Sequence, residues 1–486
     1  MPVKIMMLNP PSKYAKNVVR DLFWGCWCKG QRIASAKFPP TTLLCLDAVA
    51  EKEGHTSVLA DSQAEDLSFE QVKEIVRKEK PDAVLIPSAT MTFAEDMDTL
   101  ADLKKEVDFY SMSFGTHVTF ETETALKNES LDIAILREAE ATLAELLNVI
   151  DKGEKLDGVK GIAFRENGQI RINEPRPWIQ NLDELPFPNR KKIINYSYFN
   201  PLVKKLPWTT AVTSRGCPAR CNYCTSPTFY GNTWRARSAE SVVAEMEEAA
   251  KLGFKEIFYR DETFPADRRR VVELCNLIKE RGLEMSWICS SRVSTMDREL
   301  MQLMRNAGCH MIRLGIESGN QRVLNNIKKG ATVQQAENVF TWSHEIGMET
   351  HAHLMMGNIG ETMETINETI SFIKRVNPTT ITVGAFTPYP GTPLFEEVKR
   401  QDASIGDGTQ SDLSRVHSTG FFSKYICGMS DQDVGKAVRR AYKEFYLRPS
   451  YILQRLTGVR SVDEFRRLVA AGIEVTHFAT GNDDSE

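Results

Sequence analysis

The sequence predicts an α/β protein in which a doubly wound, Rossmann-like domain precedes a partial (β/α)6 barrel and a helical C-terminal segment. Short apolar strands alternate with amphipathic helices over roughly the first 150 residues. The alternation stops between residues 158 and 200, and a second series of six strands and five helices begins near Thr209. The predicted domains are residues 1–155, a hairpin and linker at 156–203, the barrel at 204–400 and the helical segment at 401–486.

Composition excludes several classes of protein. The chain has 486 residues, of which 42% are hydrophobic and 26% charged, a balance typical of a soluble globular protein. The formal net charge of −4 gives no overall basic field, so we expect no nucleic-acid partner. No apolar run reaches the roughly 18–20 residues that span a bilayer. Ten cysteines are too few for a disulfide framework, and a cluster of three indicates metal chemistry in a reducing, cytoplasmic compartment.

The first domain is predicted from strands that end at turn-forming residues and helices with one apolar face. The N-terminus is too short and too polar for a secretory segment, and Lys4–Leu8 is predicted to be a buried strand. The other strands are His55–Ala60, Asp82–Ile86, Phe109–Ser113 and Leu131–Leu136, and the helices are Thr41–Lys52, Phe69–Lys78, Ala94–Glu106 and Ala139–Ile150. This alternation predicts a parallel sheet whose ligand site lies beyond the carboxyl ends of its strands.

A hairpin and a linker are predicted between the two series. Gly161–Arg165 and Gln169–Asn173 flank the turn signal Glu166-Asn167-Gly168, and a Pro-punctuated run follows at 182–188. The barrel strands are then predicted at Thr209–Thr213, Glu256–Tyr259, Met285–Cys289, Met311–Gly315, Thr350–Met355 and Thr380–Phe386. The helices between them are Ala239–Leu252, Arg268–Arg281, Arg298–Ala307, Val333–Ile346 and Met363–Arg375. In a barrel, reactive groups belong on the loops after the strands.

The loop after the first barrel strand carries three cysteines at C-x3-C-x2-C spacing: Cys217, Cys221 and Cys224. Iron–sulfur clusters normally use four thiolates, so three in one loop would leave one iron open, as in a catalytic metal site. A zinc knuckle is the alternative, and it needs a fourth ligand at short spacing. The next cysteine, Cys275, is about fifty residues downstream in a predicted helix, which disfavours zinc.

On these residues the sequence resembles the radical S-adenosylmethionine (SAM) superfamily, whose loop has an aromatic residue before its last cysteine, matched here by Tyr223. The resemblance implies that the three cysteines hold a 4Fe–4S cluster and that SAM chelates its open iron. It also implies that one electron, from a flavodoxin- or ferredoxin-type reductant, cleaves SAM to methionine and a 5′-deoxyadenosyl radical.

Residues after the later strands match positions at which this family contacts SAM. Asp261 or Glu262 would bind the amino group, and Arg292 would pair with the carboxylate. Glu317 would accept hydrogen bonds from the ribose, and Gly315 would permit close backbone approach. A solvated turn at residues 261–262 and a structural ion pair at Arg292 remain alternatives. The implied SAM contacts are Tyr223, Asp261, Glu262, Arg292, Gly315, Glu317, Ser318 and Pro388, the last in a loop that looks like the family's adenine-side loop.

Two histidines of the fifth barrel strand are further candidates. His351 and His353 alternate along the strand and therefore share one side of it. They are either proton or substrate contacts in the barrel interior or hydrogen-bonded core histidines.

The doubly wound domain resembles that of the cobalamin-binding subgroup of the same superfamily, through pieces such as Asn9-Pro10-Pro11 and Phe38-Pro39-Pro40. The motif Asp-x-His-x-x-Gly, which supplies a lower axial histidine to cobalt, is absent from the sequence. The resemblance implies that cobalamin is bound after the third, fourth and fifth strands. The implied contacts are Ser88, Thr90, Gly115, Thr116, His117 and Glu138.

One turn departs from the subgroup. After the fifth strand the family often has a Gly-Glu-Gly-Glu-like turn, where this chain has Arg137-Glu138-Ala139-Glu140. If close backbone approach to the corrin or its tail needs those glycines, cobalamin binding is weakened or lost. The alternative is an α/β domain that serves only for docking or for covering the substrate.

Two segments carry no family motif. Cys26 and Cys28 lie among aromatic residues in the loop 21–29, which could cap a substrate, ligate an extra metal or form an ordered lid. Lys436–Arg467 has nine basic residues against three acidic ones, with aromatic residues interleaved. It fits a membrane surface, a lipid-like substrate or a helical cap over the barrel. The acidic tail Asn482–Glu486 is predicted to be disordered.

The leading hypothesis is an enzyme, a cobalamin-dependent radical SAM protein that methylates an unactivated carbon of a small-molecule or lipid-like substrate. The alternative is a radical SAM oxidoreductase, cyclase or C–C coupling enzyme without methyl transfer. A non-catalytic iron–sulfur protein would show cluster signals without SAM cleavage. A nucleic-acid-modifying enzyme is disfavoured by the net charge of −4.

Overall fold

A computed structural model describes residues 2–20, 30–31, 36–409, 422–457 and 462–480. The loop with Cys26 and Cys28 and the tail Asn482–Glu486 lie outside the described residues, so the predictions made for them remain predictions.

The strands form two large sheets and two short ribbons. In chain order they are β1 (Lys4–Asn9), β2 (Ala15–Lys16), β3 (Gly30–Gln31), β4 (Thr56–Asp61), β5 (Ala83–Pro87), β6 (Tyr110–Phe114), β7 (Ile133–Ile135), β8 (Ile162–Glu166), β9 (Gln169–Ile172), β10 (Trp208–Ala211), β11 (Ser214–Arg215), β12 (Arg235–Ala236), β13 (Glu256–Tyr259), β14 (Ser286–Ser291), β15 (Cys309–Glu317), β16 (Glu349–Met356) and β17 (Thr380–Ala385).

The helices follow the strands in the alternation that the sequence predicts. They are α1 (Thr41–Lys52), α2 (Ser62–Glu65), α3 (Phe69–Glu79), α4 (Phe93–Lys104), α5 (Thr116–Phe120), α6 (Thr122–Leu126), α7 (Glu140–Lys152), α8 (Ser226–Tyr230), α9 (Ala239–Lys251), α10 (Arg268–Glu280), α11 (Arg298–Asn306), α12 (Gln321–Asn326), α13 (Val333–Ile346), α14 (Met363–Val376), α15 (Pro393–Gln401), α16 (Ser423–Ile426), α17 (Asp431–Tyr446), α18 (Pro449–Thr457) and α19 (Val462–Thr480).

The first sheet is doubly wound, as predicted. Its order is β4-β1-β5-β6-β7-β8-β9, and the strands from β4 to β7 run parallel. Alternate residues of β1 face opposite sides, as the period of a strand requires. Ile5 and Met7 pack in one core cluster with α1 and α7, whereas Met6 and Leu8 pack in another with α3 and α4. Burial of both faces explains why β1 is apolar from Ile5 to Leu8.

The predicted hairpin is confirmed, and it also extends the first sheet. β8 and β9 pair antiparallel around Asn167 and Gly168, which have φ values of +51° and +78°. β8 pairs antiparallel with β7, so the hairpin continues the sheet of residues 1–155 into the segment predicted as a linker. A turn signal defines the hairpin locally but does not show which strand it joins.

The second sheet is the predicted partial barrel. Its order is β10-β13-β14-β15-β16-β17, and every pair is parallel. The apolar faces of α9, α10, α11, α13 and α14 pack with the strands in one core cluster. The carboxyl ends of the strands therefore bring the loops of the candidate site to one edge.

The C-terminal segment covers the edge strand of this barrel. Val434, Val438 and Phe445 on α17 belong to the barrel core. The Tyr446 hydroxyl accepts a hydrogen bond from the amide of Ile381 (2.8 Å) and donates one to its carbonyl (2.7 Å). Tyrosine hydroxyls thus satisfy backbone groups that an edge strand leaves open, which agrees with the helical-cap interpretation. Among the described residues, no helix is long and apolar enough to cross a bilayer.

A buried ionic cluster lies at the amino-terminal end of the barrel strands. His310 Nε2 lies 2.8 Å from Glu256, and its Nδ1 lies 3.4 Å from Glu349. Lys204, from the segment leading into the barrel, pairs with Glu349 at 2.8 Å. Burial alone would lower the pKa of His310, but its hydrogen bonds to both carboxylates raise the pKa above 6.5. Burial opposes the ionised form of Glu349, yet His310 and Lys204 lower the pKa of that carboxyl to about 2.

We expect His310→Gln to destabilise the fold by about 3 kcal/mol near pH 6, because it leaves the buried carboxylate of Glu256 and the half-buried carboxylate of Glu349 short of a cation. A raised pKa means that the contribution of His310 is full below about pH 6.5 and falls as pH rises through its folded-state pKa. The Glu349 contribution, in contrast, is lost only as pH falls from about 4.5 toward 2. Urea unfolding of both proteins at about pH 6 and about pH 9 measures the difference. A difference that is equal or larger at the higher pH would contradict the prediction.

Candidate functional site

The cysteine loop is closed at its base by a two-stranded ribbon. β11 and β12 pair antiparallel, so residues 216–234 form a loop that leaves and re-enters the barrel mouth at one place. Gly216 begins this loop with a φ of +84°, and a Cβ there would lie 2.2 Å from the carbonyl oxygen of Thr233. Glycine therefore allows the two ends of the loop to approach.

The sulfurs have polar partners from two other barrel loops. Arg292 Nη1 lies 3.5 Å from Cys221 Sγ, and the Thr263 hydroxyl lies 3.3 Å from Cys217 Sγ. A guanidinium beside a sulfur stabilises the thiolate form that binds metals. In the part of the chain that the structure describes, no three His, Cys, Asp or Glu side chains converge on a single-ion position. A four-iron cluster binds each thiolate through a different iron, so three thiols in one loop beside a cation fit its donor chemistry.

The two acidic candidates after β13 have different environments. Both oxygens of Asp261 accept hydrogen bonds at the start of β11, from the amide and hydroxyl of Thr213 (both 2.7 Å), which directly precedes this strand, and from the hydroxyl of Ser214 (2.5 Å). Glu262 Oε2, in contrast, is buried without a hydrogen-bond partner among the described residues. Burial raises the pKa of Glu262 to about 8. Glu262 is thus the acid with capacity for a cationic ligand, and Asp261 braces the strand that leads to the cysteines.

A buried ion pair lies at the end of β15. Lys329 Nζ donates to Glu317 Oε1 at 2.7 Å, and the Tyr223 hydroxyl donates to the same oxygen at 3.2 Å. Glu317 follows a bulge in β15 and has a φ of +65°, a conformation that costs about 1–3 kcal/mol for a residue other than glycine. A Cβ at Gly315 would lie 2.7 Å from Glu317 Oε1 and 2.8 Å from Lys329 Nζ, so the ends of both side chains would have to shift if Gly315 were replaced.

Lys329 is a site residue that the sequence analysis missed. It lies in the run Lys328-Lys329-Gly330, which resembles any solvated charge run. Lys328 is exposed whereas Lys329 is buried, and its carbonyl also accepts a hydrogen bond from Arg292. A basic residue shortly after a strand-end glutamate is the signal that could have found it.

Two other predicted SAM contacts, Ser318 and Pro388, lie in loops that are stabilised by hydrogen bonds. The Ser318 hydroxyl lies 3.1 Å from that of Thr369 and accepts a hydrogen bond from the amide of Asn320, so it is bonded within its own turn and to α14. Pro388 is buried in the loop after β17, where Thr392 donates through its hydroxyl to the carbonyl of Tyr389 at 2.7 Å. Their assignment to SAM remains a prediction.

The two histidines of β16 differ. His351 is hydrogen-bonded through both ring nitrogens, to the hydroxyls of Thr380 (2.7 Å) and Thr382 (3.0 Å), as a core histidine is. Arg313 donates to His353 Nε2 at 2.6 Å, and His353 lies level with Gly315 on the neighbouring strand. Burial, with the nearby Arg313, lowers the pKa of both histidines well below 6.5. Both rings are therefore neutral, and His353 lies nearer the site.

Buried polar atoms lie at the carboxyl edge of the first sheet. Among the described residues, Ser88 Oγ, Ser113 Oγ and His117 Nε2 are buried without a hydrogen-bond partner. The His117 ring packs against Phe93 with a centroid distance of 4.3 Å and an interplanar angle of 38°, and its Nδ1 lies 3.3 Å from the Thr90 hydroxyl. Burial lowers the pKa of His117 to about 4, so its ring is neutral. Buried unsatisfied groups are costly, and a polar ligand at this edge would satisfy them.

Backbone packing at this edge is unusually close. Gly115 has a φ of +127°, and a Cβ there would lie 2.4 Å from the Ser88 carbonyl oxygen. Thr116 follows as the first residue of α5 and is half-buried. The predicted residues Ser88, Thr90, Gly115, Thr116 and His117 therefore lie together, and the atoms that lack partners fit the polar tail of a nucleotide-like cofactor. Glu138 is elsewhere, in an ion-pair network with Arg215 and Arg235.

The carboxyl ends of the two sheets lie against each other. A Cβ at Gly391, in the loop after β17, would lie 2.5 Å from the Phe120 ring at the end of α5. His117 Nε2 lies 3.7 Å from Asp407 Oδ2, which belongs to the segment after α15. Residues suited to a nucleotide-like cofactor and the barrel loops beside the cysteines thus meet at one interface.

Comparison with known proteins gives matches to both halves. A family model described as the radical SAM superfamily matches residues 211–373, and one described as a B12 binding domain matches residues 34–147. An uncharacterized methyltransferase of Pyrococcus horikoshii is 31% identical over 457 residues, covering 93% of this chain and 94% of the relative. An anaerobic magnesium-protoporphyrin IX monomethyl ester cyclase of Rubrivivax gelatinosus is 30% identical over 383 residues, covering 76% and 68%.

A solved structure shares the whole fold. TsrM, a radical S-adenosylmethionine methyltransferase from Kitasatospora setae solved with cobalamin and a [4Fe-4S] cluster bound, has a TM-score of 0.69. The match covers 99% of this chain and 100% of that one at 15% sequence identity, so it supports the arrangement of the domains.

Proposed function

The chain belongs to the radical SAM superfamily, in the subgroup that carries a B12-binding domain, and from this premise we propose that it transfers a methyl group to an unactivated carbon of a small-molecule or lipid-like substrate. The observation that carries the proposal is the contact between the carboxyl ends of the two sheets, where Gly391 packs against the Phe120 ring and Asp407 lies near His117. A group carried at the edge of the first sheet would face the barrel loops that hold the cysteines.

The chain's own residues would bind and orient three cofactors. When bound, the 4Fe–4S cluster supplies the electron that cleaves SAM, and cobalamin carries the methyl group. Cys217, Cys221 and Cys224 would hold the cluster, and Arg292 would stabilise the Cys221 thiolate. Ser88 Oγ and His117 Nε2, which lack hydrogen-bond partners among the described residues, would bind the cobalamin tail. The electron would come from an external flavodoxin- or ferredoxin-type protein.

The residues that would orient SAM follow from the barrel loops. Glu262 Oε2 has no hydrogen-bond partner in the described part of the chain, and a cation placed there would favour the ionised form of Glu262, so this residue is suited to the SAM amino group. Glu317 would accept hydrogen bonds from the ribose hydroxyls. Lys329, already paired with Glu317, would place a positive charge near the SAM carboxylate.

A second candidate is a radical SAM cyclase without methyl transfer. One observation favours it: the Rubrivivax gelatinosus relative is named a cyclase and matches 76% of this chain. Both candidates use the same barrel site, and methyl transfer is the one that needs a methyl carrier in the first domain.

Corrinoid binding tests the methyl-transfer candidate. We expect the anaerobically reconstituted protein to retain about one corrinoid per chain after incubation with hydroxocobalamin and desalting, because the buried edge offers groups that a ligand satisfies. His117→Ala should lower corrinoid affinity by about tenfold, the effect of losing one buried hydrogen bond. Ultraviolet–visible spectra of the desalted proteins quantify the corrinoid. His344→Ala, an exposed histidine of α13, is the control and should bind as the wild type does.

Two experimental outcomes would contradict the proposed function. A wild-type protein with an intact cluster and no corrinoid would overturn methyl transfer and leave the cyclase candidate. Corrinoid binding without formation of 5′-deoxyadenosine from SAM would contradict both.

A further inference from the structure

Two arginines face each other at the base of the cysteine loop. Arg215 of β11 and Arg235 of β12 are directly paired across the ribbon that closes the loop. Both are buried, with 9% and 8% of their surfaces exposed. Like charges directly opposite each other destabilise a strand pair, and burial strengthens the repulsion. The ribbon therefore needs negative charge from outside itself.

That charge comes from the first domain. Arg215 forms a bidentate ion pair with Glu140, and Arg215 Nη1 also lies 3.3 Å from Glu138 Oε1. Arg235 forms a second two-pronged pair, with both oxygens of Glu138 at 2.9 and 3.1 Å. Bidentate arginine–carboxylate pairs are strong and fix geometry as well as charge. The turn after β7 thus neutralises both arginines and holds the two ends of the loop together.

Both oxygens of Glu138 are engaged by the ribbon and the linker. Oε1 accepts a hydrogen bond from Arg235, and Oε2 accepts from Arg235 and from the backbone amide of Ile179 at 2.8 Å. Arg215 Nη1 also lies 3.3 Å from Oε1, so the acceptor position that these three bonds leave open faces a second guanidinium. A cobalamin contact at Glu138 would have to compete with these partners.

Arg137 adds a third connection from the same turn. It has a φ of +63°, a strained conformation for a residue other than glycine. Its Nη1 donates to the carbonyls of Thr228 (2.6 Å) and Phe229 (2.9 Å) in α8, which directly follows the cysteines. The arginine that replaces a family-like glycine therefore reaches the cysteine loop from the first domain.

We propose that Glu138 and Glu140 are positioning residues of the cluster loop: the first domain supplies the two carboxylates that keep the base of residues 215–235 closed, and Glu138 makes no contact with cobalamin. This inference rests on the proposed function because it takes the three cysteines as cluster ligands. It makes the geometry of the cluster loop depend on how the first domain is docked.

The test uses Glu138→Gln and Glu140→Gln in the full chain, each reconstituted anaerobically with iron and sulfide. We expect about tenfold weaker iron retention, as for the loss of residues that orient metal ligands, and an altered electron paramagnetic resonance spectrum of the reduced cluster. Corrinoid per chain should be unchanged in Glu138→Gln. In the iron-free protein, amides of residues 215–235 should exchange hydrogen faster than in the wild type.

Asp47→Asn is the matched control. Asp47 is a buried carboxylate on α1 that joins the first domain to the linker through Lys192 (2.7 Å) and Asn189 (2.8 Å). Asp47 has no contact with the cluster loop among its described hydrogen bonds. The Asp47→Asn protein should therefore have the iron content and the electron paramagnetic resonance spectrum of the wild type. If a glutamine variant does not fold, Arg137→Gly serves in its place, because glycine adopts the positive φ without strain.

The outcomes separate the inference from the function on which it rests. Wild-type iron retention and spectra in both glutamine variants would overturn it. So would loss of corrinoid from Glu138→Gln with an unchanged cluster spectrum. If the wild-type protein binds no cluster, the proposed function fails, and the inference is then tested by hydrogen exchange alone. In that case, variants whose amides at residues 215–235 exchange at the wild-type rate would refute the inference.

Discussion

Replacing any one of Cys217, Cys221 and Cys224 by alanine is expected to abolish formation of 5′-deoxyadenosine from SAM. The three thiols belong to one loop that Gly216 and the β11–β12 ribbon close, and each variant removes one of them. Arg292 and the Thr263 hydroxyl are polar partners of these sulfurs, and neither replaces a thiolate as an iron ligand. We expect activity to fall by at least about a hundredfold, measured by chromatography of anaerobic, dithionite-reduced reactions.

Cys427→Ala is the control for this series. Its half-exposed thiol donates to the carbonyl of Ser423 in the C-terminal segment and should leave both iron content and SAM cleavage unchanged. The iron-free cysteine variants should also unfold at the temperature of the iron-free wild type, because each removes only a small side chain. Activity retained in any one of the three loop variants would refute the cluster assignment.

Local sequence patterns were sufficient to predict a helix or strand where the residues at its start and its end are themselves characteristic. The helix α13 has the predicted limits Val333–Ile346, and its sequence encodes both ends: Thr332 and Gln335 form a capping box, and Gly347 ends the helix in the left-handed region. The strand Glu256–Tyr259 is likewise a short run set between a glycine-containing turn and the loop with Asp261. The short helices α5 and α6 were missed because five residues are too few to show a helical period.

Long-range pairings could not be predicted in the same way. Glu138 and Arg235 are 97 residues apart in the chain, and Glu140 and Arg215 are 75 apart. Hydrophobic periodicity places each residue on an element but does not show which distant charges meet. The cysteine spacing located the cluster loop, whereas the carboxylates that hold this loop and the buried Lys329 became visible only in three dimensions.

The second large effect is expected from Lys329→Met. The substitution keeps the apolar stem but removes the cation paired with Glu317, leaving a buried carboxylate whose backbone is already strained at a φ of +65°. Breaking one partner of a buried ion pair costs about 3–5 kcal/mol. We expect the apparent KM for SAM to rise by about a hundredfold, because Glu317 loses its orientation and the site loses a positive charge.

The neighbouring Lys328→Met provides the matched control, since Lys328 is exposed and should leave the KM for SAM unchanged. The double variant Lys329→Met with Glu317→Gln removes both charges and separates two explanations. If Lys329 acts only by neutralising Glu317, the double variant should recover stability and also SAM affinity. If Lys329 itself pairs with the SAM carboxylate, the double variant recovers stability while the KM remains high. A wild-type KM in the single variant would refute both roles and leave Lys329 as a structural partner of β15.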